Sequence, residues 1–232
     1  MKIFARISWA YATFIIFAGM TLMITIFKFV PKPKAQKIAS KFIQLCTFWS
    51  FTKVGEEDPQ AQMFLINHQS DLDIALMELL TKRNLAWVAK KELFDIPFFG
   101  LTLRLPDDIP IERESKSSLV KLLKASKERL DQGRTITIFP EGTRSTTGTM
   151  LPFKPGAKLV ADKYSLRVQP VVFIATSSCY NIKKYYYKPK KIKAIFLDSF
   201  TADRDDKDWL DNLRVKMQKV YDDELANNTG NR

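Results

Sequence analysis

The chain has 232 residues, 46% of them hydrophobic, enough for one large domain or one domain with an appendage. Lys and Arg total 37 against 25 Asp and Glu, a net charge of +12 that favours an anionic partner: a membrane surface, a phosphorylated substrate, an acidic carrier protein or nucleic acid. A single histidine and two distant cysteines, Cys46 and Cys179, argue against a zinc site and against a disulfide framework.

The first element is apolar. Ile7 to Phe27 is a run of 21 residues without a formal charge. At ~1.5 Å rise per residue, a helix of that length reaches roughly 30 Å, the thickness of a bilayer core. No small-residue cleavage site follows before Pro31-Lys-Pro-Lys34, which argues against a secretory signal. Lys2 and Arg6 precede the run, and Lys28, Lys32, Lys34, Lys37 and Lys41 follow it. The excess on the later flank would place the downstream domain in the cytoplasm. Basic flanks at both ends also suit a helix whose ends return to one anionic leaflet, and the sequence leaves the two topologies open.

Pro31 and Pro33 break this helix. A second one is expected from Lys34 to about Phe51. Ile38, Phe42, Leu45 and Trp49 recur at helical spacing, with Lys34, Lys37, Lys41 and Gln44 largely opposite. Such a face fits a membrane interface or packing against the globular part. The expectation is a membrane-associated helical hairpin over residues 1–53, joined by the polar stretch Val54 to Gln62 to a catalytic domain over residues 54–232.

In that second part, Met63 to Ile66 reads as a strand and Asp71 to Lys82 as a helix. Leu85 to Ala89 reads as another strand, Glu92 to Leu105 as a broken apolar segment, and Ile109-Pro-Ile111 as a short extended piece. Ser115 to Gln132 is an amphipathic helix that Gly133 can end. Thr135 to Phe139 alternates as a strand. Gly156 to Lys163 is a short helix, and Val168 to Ala175 and Lys190 to Leu197 are strands. Trp209, Leu213, Met217, Val220 and Tyr221 mark a C-terminal helix, followed by a tail from Asn227 expected to be disordered. Strands alternating with helices predict an α/β fold, a mixed sheet flanked by helices.

Two constellations could carry chemistry. His68 sits where a strand ends and a helix begins, where sites in α/β folds are commonly built. Its unperturbed pKa lies near neutrality. A carboxylate in the first helical turn can take one ring nitrogen and leave the other as a general base. Asp73 fits that partner role. Asp71 is the alternative, though Asp71 or Ser70 could instead cap the helix. The second is Phe139-Pro-Glu-Gly-Thr-Arg-Ser145, also at a strand end. Arg144 can hold a phosphate through two parallel hydrogen bonds. Glu141 could bind a hydroxyl or pair with Arg144, and Gly142 permits close backbone approach. The spacing to Lys154 is not that of a nucleotide-binding loop.

Together these motifs resemble the glycerolipid acyltransferases. Asn67-His-Gln-Ser-Asp-Leu-Asp73 is similar to their His-x4-Asp block, Ile109-Pro-Ile-Glu-Arg113 to their second, Phe139 to Ser145 to their third, and Val168-Gln-Pro-Val171 to their fourth, in the family's order. The likeness extends to Lys90-Lys-Glu-Leu93 and Pro97-Phe-Phe-Gly100. It covers roughly residues 61–175 and is nearest to bacterial members that acylate 1-acyl-glycerol 3-phosphate. It implies a glycerolipid-acyltransferase-like fold, and transfer of an acyl chain from a thioester to the free hydroxyl of lysophosphatidic acid, giving phosphatidic acid. His68 would be the general base, oriented by Asp73. Arg144, Arg113 and Lys90 would hold the acceptor phosphate. Glu141, Gly142 and Thr143 would position the acceptor or the oxyanion. The resemblance implies no tightly bound cofactor and no metal, acyl carrier protein or coenzyme A as donor carrier, and residence at the cytoplasmic face of a bacterial inner membrane.

Competing readings carry their own signals. Ser70 or Ser145 could form an acyl-enzyme, but no Gly-x-Ser-x-Gly elbow is present. Tyr180 to Lys193 interleaves lysines with Tyr185, Tyr186 and Tyr187, a pattern that can grip single strands, an anionic membrane or an acidic carrier. The hydrophobic N-terminus favours a membrane over nucleic acid. Another lysophospholipid or an acylated ornithine would be an alternative acceptor.

Overall fold

The computed structural model describes residues 2–112, 116–145 and 147–229. Its elements follow one another as α1 (Lys2–Ile26), α2 (Lys32–Thr47), β1 (Ser50–Val54), β2 (Met63–Ile66), α3 (Leu72–Leu80), β3 (Leu85–Lys90), α4 (Lys91–Phe94), α5 (Leu101–Arg104) and β4 (Ile109–Ile111). Then come α6 (Lys116–Asp131), β5 (Thr135–Ile138), α7 (Pro155–Lys163), β6 (Arg167–Ile174), α8 (Thr176–Cys179), β7 (Tyr180–Asn181), β8 (Tyr186–Tyr187), β9 (Lys191–Phe196), β10 (Phe200–Thr201) and α9 (Trp209–Thr229).

Among the described residues, eight strands form one sheet in the order β1-β9-β6-β2-β5-β3-β4, with β10 added beside β6. The pairs β6·β9 and β6·β10 are antiparallel and the rest are parallel, so the sheet is mixed. The period-2 alternation of a strand explains why Met63 to Ile66 is apolar without a break. Met63 and Leu65 enter a core built with Leu122 of α6, Val160 of α7 and Met217 of α9. Phe64 and Ile66 enter the opposite core with Leu76 of α3, Ala12 of α1 and Ile43 of α2. Pro170 in β6 is compatible with the sheet because it lies where pairing with β9 ends and pairing with β10 begins.

The N-terminal pair differs from expectation in where its second helix ends: α2 stops at Thr47, short of Phe51. Phe48 takes φ 57° as the helix cap, and residues 50–54 join the sheet beside β9, so the sheet begins before the boundary expected after residue 53. The inward face of α2 carries Ala35, Ala39, Ser40 and Ile43; of the apolar stripe, Ile38 and Leu45 are exposed, as at a membrane interface, while Phe42 and Trp49 pack against the globular part. Close packing against α1 selects this face. A Cβ on Gly19 would lie 2.5 Å from the Ile43 side chain.

At the other end, α9 runs through Thr229, so Asn227 is helical rather than part of a disordered tail; residues 230–232 lie outside the described residues.

Candidate active site

The parallel strands β2, β3, β5 and β6 all end at one edge of the sheet. There the chain continues into His68 after β2, Lys90 at the end of β3, Phe139 to Ser145 after β5, and the β7–β8 hairpin after β6 and α8. Asn67 fastens this edge. Its side-chain amide donates to the Phe173 carbonyl (3.0 Å) and accepts the Phe173 N–H (2.7 Å), tying the exit of β2 to β6.

The loop then turns so that Asp73, fully buried in the first turn of α3, faces back on the imidazole. Asp73 Oδ2 lies 2.9 Å from His68 Nδ1 and also accepts the backbone N–H groups of Gln69 (2.7 Å) and Ser70 (2.9 Å). A carboxylate oxygen holding two amides is an acceptor, so Nδ1 carries the proton and Nε2 is the basic nitrogen. The imidazole lies flat on Phe139, with ring centroids 3.9 Å apart and planes 12° apart. Phe139 in turn stacks on Trp87 at 5.2 Å. Two of the imidazole's freedoms, tilt and rotation, are therefore fixed by contacts of different kinds. Neither Phe139 nor Trp87 was assigned a role from sequence, because an aromatic at a strand end gives no signal of what it stacks on.

Glu141 is buried against backbone amides. Its two oxygens accept the backbone N–H groups of His68 and Leu151, each at 2.8 Å. Burial raises its carboxyl pKa, and the two amide bonds oppose that rise. The ion pair expected between Glu141 and Arg144 is not formed. Arg144 pairs with Asp71. Asp71 thus neither caps α3 through its side chain nor orients His68. Burial raises its carboxyl pKa against the pull of Arg144.

Gly142 has φ 70° and donates its N–H to the Phe139 carbonyl, closing the turn, so that amide is already engaged rather than left for an oxyanion. Thr143 is exposed on the same turn. Ser145 N–H donates to the His68 carbonyl (2.9 Å), which joins the two sequence blocks through the backbone.

Lys90 is exposed at the same sheet edge, where it pairs with Glu92 at 3.1 Å. Arg113 lies outside the described residues. Val168 to Val171 lie within β6, where Gln169 accepts from Asp58 N–H and donates to the carbonyls of Glu56 and Leu197; the block is structural. Ser70 Oγ donates to the Tyr180 carbonyl (2.7 Å), and Tyr221 of α9 donates to Gln69 (3.4 Å). The region after residue 175, which carries no recognisable motif, therefore supplies two walls of the site. Among the described residues, no group of three or more His, Cys, Asp or Glu could hold a metal.

What the arrangement can do is draw a proton from a hydroxyl at Nε2 beside a guanidinium suited to an anion. The family profile described as Acyltransferase matches residues 52–174. The chain is 39% identical over 217 residues to 1-acyl-sn-glycerol-3-phosphate acyltransferase of Helicobacter pylori, covering 91% of each. It is 37% identical over 123 residues to human 1-acyl-sn-glycerol-3-phosphate acyltransferase beta, 52% of this chain and 44% of that one. The crystal structure of the 1-acyl-sn-glycerophosphate acyltransferase PlsC from Thermotoga maritima superimposes with a TM-score of 0.76 at 21% identity, covering 98% of this chain and 97% of that one, a likeness of fold.

Proposed function

The chain belongs to the acyltransferase family, among its 1-acyl-sn-glycerol-3-phosphate O-acyltransferases, and from that premise we propose how its residues perform the reaction. The reaction acylates lysophosphatidic acid to phosphatidic acid. The acyl donor is a thioester of acyl carrier protein or coenzyme A. His68 Nε2 removes the proton of the acceptor hydroxyl as its oxygen attacks the thioester carbonyl carbon. The new C–O bond gives a tetrahedral oxyanion. Its collapse breaks the C–S bond, and the imidazolium returns the proton to the leaving thiolate.

Asp73 stabilises the imidazolium and fixes the tautomer, as in a catalytic triad whose nucleophile is the bound alcohol rather than a protein serine. The observation that carries this reading is the His68–Asp73 contact at 2.9 Å, with Asp73 itself locked by two amides. Arg144 would hold the phosphate and so keep the hydroxyl near His68, a positioning effect that can supply about 7–11 kcal/mol at best.

One N-terminal helix, Ile3–Ile26, is long and apolar enough to anchor to a membrane. The one-leaflet arrangement is supported by how α1 lies on the rest of the chain. The Thr13 and Tyr180 hydroxyls are 3.0 Å apart, the Trp9 and Tyr185 rings pack edge to face at 4.8 Å, and Tyr11 donates to the Cys46 carbonyl. The opposite face of α1 exposes Phe4, Ile7, Phe14 and Phe17, and α2 adds Ile38, Leu45 and Phe48. A helix held along the domain on one side and apolar on the other fits burial in one leaflet, at the cytoplasmic face of the membrane where the lysines flanking it would meet anionic lipid.

The test is acyl transfer by the purified full-length protein, crossing both thioester donors with lysophosphatidic acid, other lysophospholipids and an acylated ornithine. Preference for lysophosphatidic acid is expected. Preference for another acceptor would overturn the assignment.

A further inference from the structure

We propose that Lys183, in the turn between β7 and β8, is a second cation for the acceptor phosphate and gives the site its preference for a phosphate monoester; this rests on the reaction assigned above. Next to the loop that carries His68 lies a small cleft lined by Gln69, Ser70, Asp71, Arg144 and the segment from Tyr180 to Lys183. A phosphate monoester carries a charge of about −1.5 to −2 at neutral pH. Arg144 alone cannot balance it, because Arg144 already faces the Asp71 carboxylate, and Asp71 also lines the cleft. A second positive charge in the same cleft resolves this, and among the described residues that line it Lys183 is the other cation. It forms no ion pair among the described residues.

The turn that carries Lys183 is held in place from two directions. Towards the catalytic loop, the Tyr180 carbonyl accepts the Ser70 hydroxyl at 2.7 Å. Towards the membrane helices, the Tyr180 hydroxyl meets Thr13 of α1, the Tyr185 ring meets Trp9, and the Tyr187 hydroxyl donates to the Thr47 carbonyl of α2. Within the turn, Asn181 Oδ1 accepts the Lys184 N–H at 3.0 Å, and Tyr185 adopts φ 49°. The lysine therefore stands on a preorganised support between the catalytic loop and the apolar helix, where a headgroup would enter from the interface. Lys184 is also exposed but does not line the cleft, and so serves as an internal control.

The experiment measures initial rates of the full-length protein in mixed micelles, varying lysophosphatidic acid at saturating acyl thioester and then the reverse. Loss of one charge-assisted hydrogen bond predicts that Lys183→Gln raises the acceptor KM about tenfold or more. The donor KM and kcat stay unchanged, Lys183→Arg restores most of the affinity, and Lys184→Gln behaves as wild type. An unchanged acceptor KM in Lys183→Gln overturns the inference. So does an equal rise in Lys184→Gln, which would mean general surface charge, or a rise confined to the donor KM, which would mean carrier docking. A wild-type protein that acylates another lysolipid but not lysophosphatidic acid overturns the assigned reaction, and this inference with it. An active wild type beside an indifferent Lys183→Gln overturns the inference alone.

Discussion

Glu141 offers the sharpest test of a role that changed between sequence and structure. In Glu141→Gln the side chain keeps its length and volume, but the amide has one oxygen where the carboxylate has two. The carboxylate accepts the His68 and Leu151 N–H groups at 2.8 Å each, in a site 1% exposed. The variant keeps one bond as a neutral one and sets an NH2 group against the other N–H. A hydrogen bond to a charged group contributes ~1.5–3 kcal/mol, and a buried donor left unmatched costs a similar amount. Glu141 binds its proton more tightly than an ordinary carboxyl because of burial, which offsets part of that loss. A net destabilisation of about 2–4 kcal/mol follows, or roughly 4–16 °C in Tm for a chain of this size. Because the lost bond holds the His68 backbone, kcat should fall while the acceptor KM stays near wild type. Thermal denaturation with steady-state kinetics reads both. A variant of unchanged Tm whose only defect is a raised acceptor KM would refute the argument and return Glu141 to the acceptor hydroxyl.

The buried acid Glu78 gives a pH prediction. Burial pushes its carboxyl up to about 7, and Trp87 Nε1 donates to it at 2.9 Å. The folded state thus binds the proton more tightly than the unfolded one, so stability falls as pH rises from about 4 to 7, by roughly 3 kcal/mol at full effect. Glu78→Gln keeps an acceptor for Trp87 and should flatten this slope, read as the difference in Tm between pH 5 and pH 8; an unaltered slope would contradict it. Asp108, also buried and pushed up to about 8, keeps part of the dependence in the variant. At the membrane face, Phe14 and Phe17 are 69% and 51% exposed on α1. Burial in lipid is worth ~1.5–3 kcal/mol for each such side chain, so Phe14→Asp with Phe17→Asp should abolish co-sedimentation with anionic vesicles and leave Tm unchanged. Undiminished vesicle binding would place the contact elsewhere.

The central strands were legible because both faces of the sheet are covered, which leaves uninterrupted runs such as Met63 to Ile66. The His68–Asp73 pair was legible because five positions across a strand-to-helix turn is a local distance. What escaped was non-local. Glu141 reaches the His68 backbone, and Arg144 reaches Asp71, only because β2 and β5 pair in parallel with Leu65 opposite Ile138. No pattern within either segment encodes that register. Ser50 and Phe51 read as the end of a helix, and Val54 as the start of a linker, because their partner strand, β9, lies far along the chain.

The apolar stripe of α2 left two placements open, a membrane interface or the globular part, and does not itself fix how the helix pairs with α1. Gly19, Ala35 and Ala39 instead allow α1 and α2 to approach closely, the small-residue packing seen where helices meet beside lipid. That leaves Ile38 and Leu45 outside, where a bilayer would cover them.

The most direct measurement is the single-turnover rate of acyl transfer to lysophosphatidic acid by His68→Ala, with Tm measured on the same preparation. A general base in place contributes about 10²–10⁴-fold, and the side chain it removes is stacked on Phe139 rather than in the strand core. The rate should therefore fall by at least that factor with the fold retained. A folded His68→Ala protein that transfers acyl chains at a near-normal rate would contradict the account.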